Sequence, residues 1–233
     1  MNPADISVAI IAGTKKCLEY RIAQGKSCFD LALAAVQPLG FAEIIVVSDH
    51  VKASPFYRTV NSGATAYHST MNGIRAARTD YVLIVSADLP HITKANILQL
   101  LGQVEQLPSM DAYLTFADTV ECEAFGHYTK HALVLNGQRV KSGSVFVVRR
   151  AAMEQIAPTI ERVLTNRKKV LPVVLALVDL GTLFQFGLAL LTHRPFPFER
   201  AAAAISRKIG IKVGGINCQA GLAMDDDHEE DPV

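Results

Sequence analysis

Residues 80–93 read DYVLIVSADLPHIT, an apolar, β-branched-rich run that ends on a single acid, Asp88, and meets Pro90 two positions later. A continuous apolar run without polar alternation suits a strand covered on both faces, as in parallel sheets with helices packed on either side. Pro90 has no N–H to offer a ladder, so the chain turns there. The acid therefore stands at the C-terminal mouth of a central strand, where open α/β sheets hold their ligands. The usual work of such an acid is to hold a divalent metal on phosphate oxygens. The competing use, capping the next helix, is already supplied by Thr93.

The rest of the chain alternates in the way such a sheet requires. Ser7–Ala12 reads as a strand ending at Gly13, and Ala42–Ser48 as a second buried strand. Between them Ser27, with Asp30 three residues on, forms a capping-box signature for a helix that runs to Val36 and stops at Pro38–Gly40. His68–Ala77 is predicted helical. Thr93 caps a helix over Lys94–Gln106, with Leu98 and Leu101 expected on one face. Residues 111–117 give another strand, and Asn136–Gly137 between apolar runs is a hairpin signal. Ser144–Val148 adds a strand after that hairpin, so the sheet is expected to be mixed and mostly parallel. Residues 151–209 read as mostly helical, and Ile211–Asn217 as a last strand before the acidic end AMDDDHEEDPV. The expectation is an α/β fold in one domain, residues 1–233, with a helical insertion within 151–209 centred near 160–195.

Composition removes several classes of function. The formal net charge is +1, which offers no basic field to a nucleic-acid backbone. The four cysteines (Cys17, Cys28, Cys122, Cys218) show no paired spacing, so neither a zinc knuckle nor a disulfide framework is indicated, and a reducing cytoplasm fits. His127 and His131 are four apart in a stretch that reads as loop and hairpin rather than helix, which argues against a zinc pair. Residues 171–191 are long and apolar enough to span a bilayer, yet they contain Asp179, Pro172, Gly181 and Gln185. Two short helices broken near Gly181 are the expectation there, with membrane contact the lesser alternative.

Three separated segments converge on one chemistry. Ala12-Gly13-Thr14-Lys15-Lys16 follows the first strand, where a glycine lets backbone N–H groups approach an anion and lysines neutralise phosphate. Gly25–Lys26 adds an ammonium just ahead of the Ser27 cap. Asp88 is the second segment, and the Asp225-Asp226-Asp227 run the third. A Mg²⁺ on a triphosphate needs only one or two protein carboxylates, because phosphate oxygens and waters complete its shell. Arg167 and Lys168 are best read as a solvated face, with contact to an acidic substrate as the alternative.

The order of these motifs resembles the MobA-like nucleotidyltransferases: strand, AG-loop with lysines, GK-cap, SADLP strand end and late D-x-D. The resemblance runs through NRKK at 166–169, KSGSVFVV and the final acidic motif, and so covers essentially the whole chain. It implies a three-layer, Rossmann-like sheet of the GT-A type, with a helical insertion marking this branch. It further implies that Ala12, Gly13 and Thr14 hold the nucleotide, that Lys16 and Lys26 bind its phosphates, and that Ser69 and Asn72 help seat base and ribose. Asp88 matches the metal-binding acid, and Asp225 and Asp227 the late acids, with Asp227 favoured as the second Mg²⁺ ligand. The implied reaction moves a nucleoside monophosphate from an NTP to a phosphate-bearing acceptor and releases pyrophosphate.

The sequence departs from the family pattern at chosen places. The usual L-A-G-G loop is Ile11-Ala12-Gly13-Thr14, and a loop with φ > 0 at Thr14 would be strained by its Cβ. The arginine usual in that loop is replaced by lysine point charges. Gly-Lys-Pro has become Gly25-Lys26-Ser27, and Gly-Gly-Asn has become Ser142-Gly143-Ser144, which loses an amide. These changes leave two alternatives: a non-catalytic nucleotide-binding protein, and a GT-A-like glycosyltransferase whose acidic run holds a metal on a sugar nucleotide.

Overall fold

The computed structural model describes residues 1–19, 25–125, 132–165 and 197–225. Its framework is one nine-stranded sheet in the order β3-β2-β1-β4-β8-β5-β7-β6, with β9 paired to β5. The strands are β1 (Ile6–Ile11), β2 (Glu43–Val47), β3 (Arg58–Val60), β4 (Tyr81–Ser86), β5 (Ala112–Asp118), β6 (Leu133–Leu135), β7 (Gln138–Ser142), β8 (Val145–Arg149) and β9 (Val213–Asn217). The pairs β2–β3, β1–β2, β1–β4 and β5–β9 are parallel, whereas β8 runs antiparallel between β4 and β5. The sheet is therefore mixed, as the hairpin signal required.

Alternate residues of the central strands feed two cores. Ile6, Val8 and Ile10 of β1, with Leu83 and Val85 of β4, face one layer. There they meet Phe29 and Val36 of α2 (Cys28–Val36) and Ile97 of α4 (Lys94–Gln106). Ala9, Val82 and Ile84 face the other layer, packing on Met71 and Ile74 of α3 (Ala66–Ala76) and Ile156 of α6 (Arg150–Thr165). Both faces of β4 are thus covered, which is why its sequence lacks polar alternation. Three short or late helices complete the described elements: α1 (Lys16–Glu19), α5 (Thr119–Ala124) and α7 (Phe198–Ile209). No helix among the described residues is long and apolar enough to cross a membrane.

The local signals hold where they were strongest. Ser27 and Asp30 form a reciprocal capping box, and Thr93 forms another with Asn96. Asn136 (φ 51°) and Gly137 (φ 80°) both take positive φ, the requirement of a type I′ hairpin turn between β6 and β7. Leu98 departs from the expected pattern. It is 45% exposed, and the buried stripe of α4 is Ile97, Leu100, Leu101 and Val104, so Leu98 and Leu101 do not share a face. The stripe was misplaced because the i, i+3 spacing of two leucines hid a better-populated i, i+3, i+4, i+7 set. Strand β3 and helices α1 and α5 had no counterpart in the sequence reading, which left Lys16 in a loop. The segment 171–191, residues 166–169, the centre of the helical insertion, His127 and His131 lie outside the described residues.

Two features of this frame carry testable consequences. Gly143, between β7 and β8, passes so close to β5 that a Cβ would overlap Thr115 Oγ1 and stand 2.9 Å from Thr115 Cβ. Gly143→Ala should cost about 3 kcal/mol of stability by overpacking, measured as a drop in the urea midpoint. An unchanged midpoint would show that this seam yields. At the opposite edge of the sheet, Glu43 accepts from Ser7 Oγ (2.8 Å), Arg58 Nε (2.9 Å) and Arg78 N (2.6 Å). Burial disfavours its charge, but Arg58, the Arg78 N–H and Ser7 together outweigh that and hold the carboxyl below its ordinary value of 4.5. A depressed folded value means the stabilisation is present above the unfolded value and is lost as pH falls through the folded one. Glu43→Gln should therefore cost about 2 kcal/mol near neutral pH. The gap to wild type should close on acidification, and a gap independent of pH would show that the charge is irrelevant.

Candidate functional site

The C-terminal ends of β1 and β4 open onto a cavity of about 290 Å³. Its walls come from three stretches: Ile11, Gly13 and Thr14 with Cys17, the loop Gly63–Ala66 with Ser69, and Ser86 with Asp88. The apolar interior of the two parallel strands fixes where those stretches emerge, because β1 and β4 are in register from Ile6↔Tyr81 to Ile11↔Ser86. Of the residues singled out from sequence, Gly13, Thr14, Ser69 and Asp88 line this one space.

Each wall is held differently. Ala12 is fully buried, and its N–H continues the ladder to Val47 O at 3.0 Å, so it anchors the loop from within the sheet. Ala87 N does the same for the other loop, donating to Ile11 O at 3.1 Å. Thr14 is exposed and keeps a negative φ: among the described residues Asn136 is the one non-glycine with positive φ. The expected strain at Thr14 is absent, because the loop turns without a left-handed residue. On the far wall Ser69 is buried and its Oγ accepts the Gly63 N–H at 3.0 Å. Thr65 caps α3, taking the His68 N–H on Oγ1 and meeting His68 Nδ1 at 2.8 Å. Ser62 hydrogen-bonds to Asp49 through both its N–H and its hydroxyl. Asn72, one turn further along α3, donates to Asn61 O at 3.2 Å and so braces this wall rather than lining the cavity.

Asp88 is half-buried, and its Oδ1 is shielded from solvent. Cys17 Sγ donates to Thr14 O at 3.0 Å. Burial pushes that thiol up, the hydrogen bond to Thr14 pulls it down, and the Asp88 carboxylate adds to the upward push. The result is a protonated thiol, a poor metal ligand and a poor nucleophile. The remaining side-chain donors at the cavity are hard oxygens: the Asp88 carboxylate with the hydroxyls of Thr14, Thr65, Ser69 and Ser86. Such a set suits Mg²⁺ and similar hard cations rather than zinc or copper. Among the described residues no three His, Cys, Asp or Glu side chains gather into a metal cluster.

Lys16 opens α1 and Lys26 precedes the Ser27 cap; both are exposed, and neither is among the cavity walls. The C-terminal acids begin nearby. Ser144 donates to Leu222 O at 2.8 Å and accepts from Ser86 N at 3.2 Å, so the turn at Ala220–Leu222 is tied to the end of β4. Leu222, Ala223 and Met224 are buried, and Asp225 then pairs with Lys141 Nζ at 2.7 Å. Asp226 and Asp227 lie outside the described residues. Sequence reasoning missed Ser86, Cys17 and the Gly63–Ala66 loop. The Asn61-Ser62-Gly63 turn signal ahead of α3 was the available clue.

A family model described as the MobA-like NTP transferase domain matches residues 12–158. Among curated proteins, none matches this sequence. A hypothetical transferase from Thermus thermophilus superposes with a TM-score of 0.80 at 19% identity, covering 97% of this chain and 98% of that one. A 2-C-methyl-D-erythritol 4-phosphate cytidylyltransferase, also from Thermus thermophilus, gives a TM-score of 0.53 at 16% identity, over 97% and 94%. A CMP:2-keto-3-deoxy-manno-octonic acid synthetase complexed with CTP gives 0.57 at 14% identity, over 96% and 94%. These likenesses establish the shared Rossmann-like fold, and the family match spans more than half of the sequence. The chain belongs to the family of MobA-like NTP transferase domains.

Proposed function

We propose that this protein is a nucleotidyltransferase that moves an NMP from an NTP to a phosphate-bearing acceptor. The observation that carries this reading is the single cavity at the mouth of β1 and β4, where Gly13, Thr14, Ser69 and Asp88 meet. An acceptor phosphate oxygen attacks the α-phosphorus in line. The new P–O bond forms as the bond to the bridging oxygen of pyrophosphate breaks, and pyrophosphate leaves with the electron pair. An anionic acceptor needs no general base, so the protein's task is positioning and charge stabilisation.

The chain's residues divide that task. Gly13 lets the backbone approach the nucleotide closely. Ser69, fixed by the Gly63 N–H, and the loop beside it form the wall for base and ribose, with Asn72 bracing that wall. Lys16 and Lys26 bring flexible ammonium groups to the phosphates from the solvent side. Asp88, with Asp227 or Asp225 as second carboxylate, would hold Mg²⁺, which would supply Lewis-acid neutralisation of the phosphate oxygens. All four cysteines are buried thiols outside any disulfide, which accords with a reducing cytoplasm.

Thermal unfolding of the full chain with Mg²⁺ and each NTP in turn tests this reading, CTP first because two structural relatives carry cytidylyl chemistry in their names. A bound nucleotide at a hundredfold excess over its Kd should add about 2.7 kcal/mol of stability. Asp88→Asn should abolish that gain while leaving the apo melting temperature near wild type. If no NTP at millimolar concentration stabilises the protein, the transferase reading fails.

A further inference from the structure

A second and larger cavity has a volume of about 730 Å³. One wall is the loop Pro90–Thr93, which continues directly from Asp88. Two residues of extended chain span at most about 7 Å, so this wall starts within that distance of the acid. The opposite walls are Leu31 of α2, the end of α5 at Ala124 and Phe125, and the turn at Gln219–Gly221. Its size falls within the range of pockets that enclose a whole small molecule, about 300–1,000 Å³.

The lining decides what chemistry fits. Leu31, Ile92, Ala124, Phe125 and Ala220 give it an apolar body, and among the described residues no lysine or arginine belongs to it. The acid in that lining is Glu121, whose carboxylate repels anions. Phe125 is 54% exposed and packs against the His91 ring, with centroids 5.1 Å apart, so an apolar platform faces solvent at the cavity mouth. The amides of the lining are already engaged: Asn96 donates to Gln219, which in turn donates to Gln99 at 2.6 Å.

We infer that this groove holds the apolar carbon skeleton of the acceptor, whose phosphate reaches the Asp88 cavity across the Pro90 wall. The assignment rests on the proposed transferase reading and narrows it: the acceptor is an alkyl- or isoprenyl-type monophosphate, not a sugar phosphate. A phosphate cannot be the group seated in the groove, because the described lining offers it a carboxylate and no lysine or arginine. A hydroxyl-rich sugar would meet Leu31, Ile92 and Phe125 over the apolar body, while the Thr93 hydroxyl and the Asn96 and Gln219 amides are already engaged and Glu121 and His91 are the other polar side chains.

The chain has no tryptophan, so Phe125→Trp provides a single reporter at the groove. The full-length Phe125→Trp protein is titrated with geranyl phosphate below its micelle threshold and with glucose 1-phosphate. Geranyl phosphate should shift the indole emission to the blue, saturably, and bind at least tenfold more tightly than glucose 1-phosphate. Leu31→Ala in the same background should weaken geranyl phosphate about 16-fold, the loss of contact with two methylene equivalents at a factor of about four each. NTP-dependent thermal stabilisation should be unaffected by Leu31→Ala. Normal NTP stabilisation with no preference for geranyl phosphate overturns the acceptor assignment and leaves the transferase reading standing. A glucose 1-phosphate preference does the same. Geranyl phosphate binding without stabilisation by any NTP overturns the assignment through the failure of the transferase reading itself.

Discussion

Ser144 is the residue through which the strand carrying Asp88 is joined to the C-terminal turn. Its carbonyl accepts from Ser86 at the end of β4, and its N–H donates to Leu222. The neighbouring Gly143 N–H reaches Thr115 O at 2.7 Å, and Thr115 Oγ1 in turn donates to Val145 O. Buried backbone groups left unpaired are costly, so these bonds hold four segments in one register. The glycine is what permits it, because any Cβ at 143 would occupy the space of the Thr115 side chain. Asp88 and the root of the acidic terminus therefore flank one residue. The ion pair of Lys141 with Asp225, 27% and 31% exposed, then fixes where the described chain leaves the sheet.

The two walls of the candidate nucleotide cavity differ in stiffness, and the difference follows from their hydrogen bonds. The wall at Gly63–Ser69 is braced by Ser69 on Gly63, Ser62 on Asp49, Thr65 on His68 and Tyr67 Oη on Ala157 O. The last of these reaches across to α6, so the wall is bolted to the layer behind it. The opposite wall is short and exposed at Thr14, with Cys17 Sγ on Thr14 O as its internal tie. On the proposed reading the braced wall suits a flat, fixed group, and the exposed lysines outside the cavity suit a flexible polyphosphate.

How much of this was legible depends on whether the signal was local. The β4 run, the Ser27–Asp30 capping box, the Thr93 cap and the Asn136–Gly137 turn are local, and the sequence shows each of them within a few residues. Strand β3 was illegible because all three of its residues are only partly buried. What holds it is tertiary: pairing to β2 and the Arg58–Glu43 ion pair at 2.9 Å. Helix α5 has six residues and carries the exposed Val120 beside the buried Cys122, so no apolar period marks it. The meeting of Gly13, Thr14, Ser69 and Asp88 was read from a resemblance in motif order. No spacing in the chain could have supplied it, because Gly13 and Asp88 become neighbours through the β1–β4 register. The Gly63–Ala66 loop was missed for the same reason: its place beside Asp88 is a property of the sheet.

On the proposed reading a nearly neutral chain serves a polyanionic substrate through the placement of its charges. A net charge of +1 gives no long-range pull on a nucleotide, so attraction has to be built locally. On the proposed reading it is: Lys16 and Lys26 stand exposed on the solvent side, while the hard oxygens of Asp88 and the hydroxyls around it face inward. A cavity of 290 Å³ is at the small end for a whole ligand, so it suits one part of a nucleotide and leaves the phosphates toward its rim. There the screened ammonium groups act over short distances, within about 8 Å at physiological salt. The partition separates recognition, which needs a fixed wall, from charge neutralisation, which needs mobile cations and a metal. On the proposed reading the groove beyond Pro90, with Glu121 and no lysine or arginine among its described lining residues, holds the uncharged end of the other substrate.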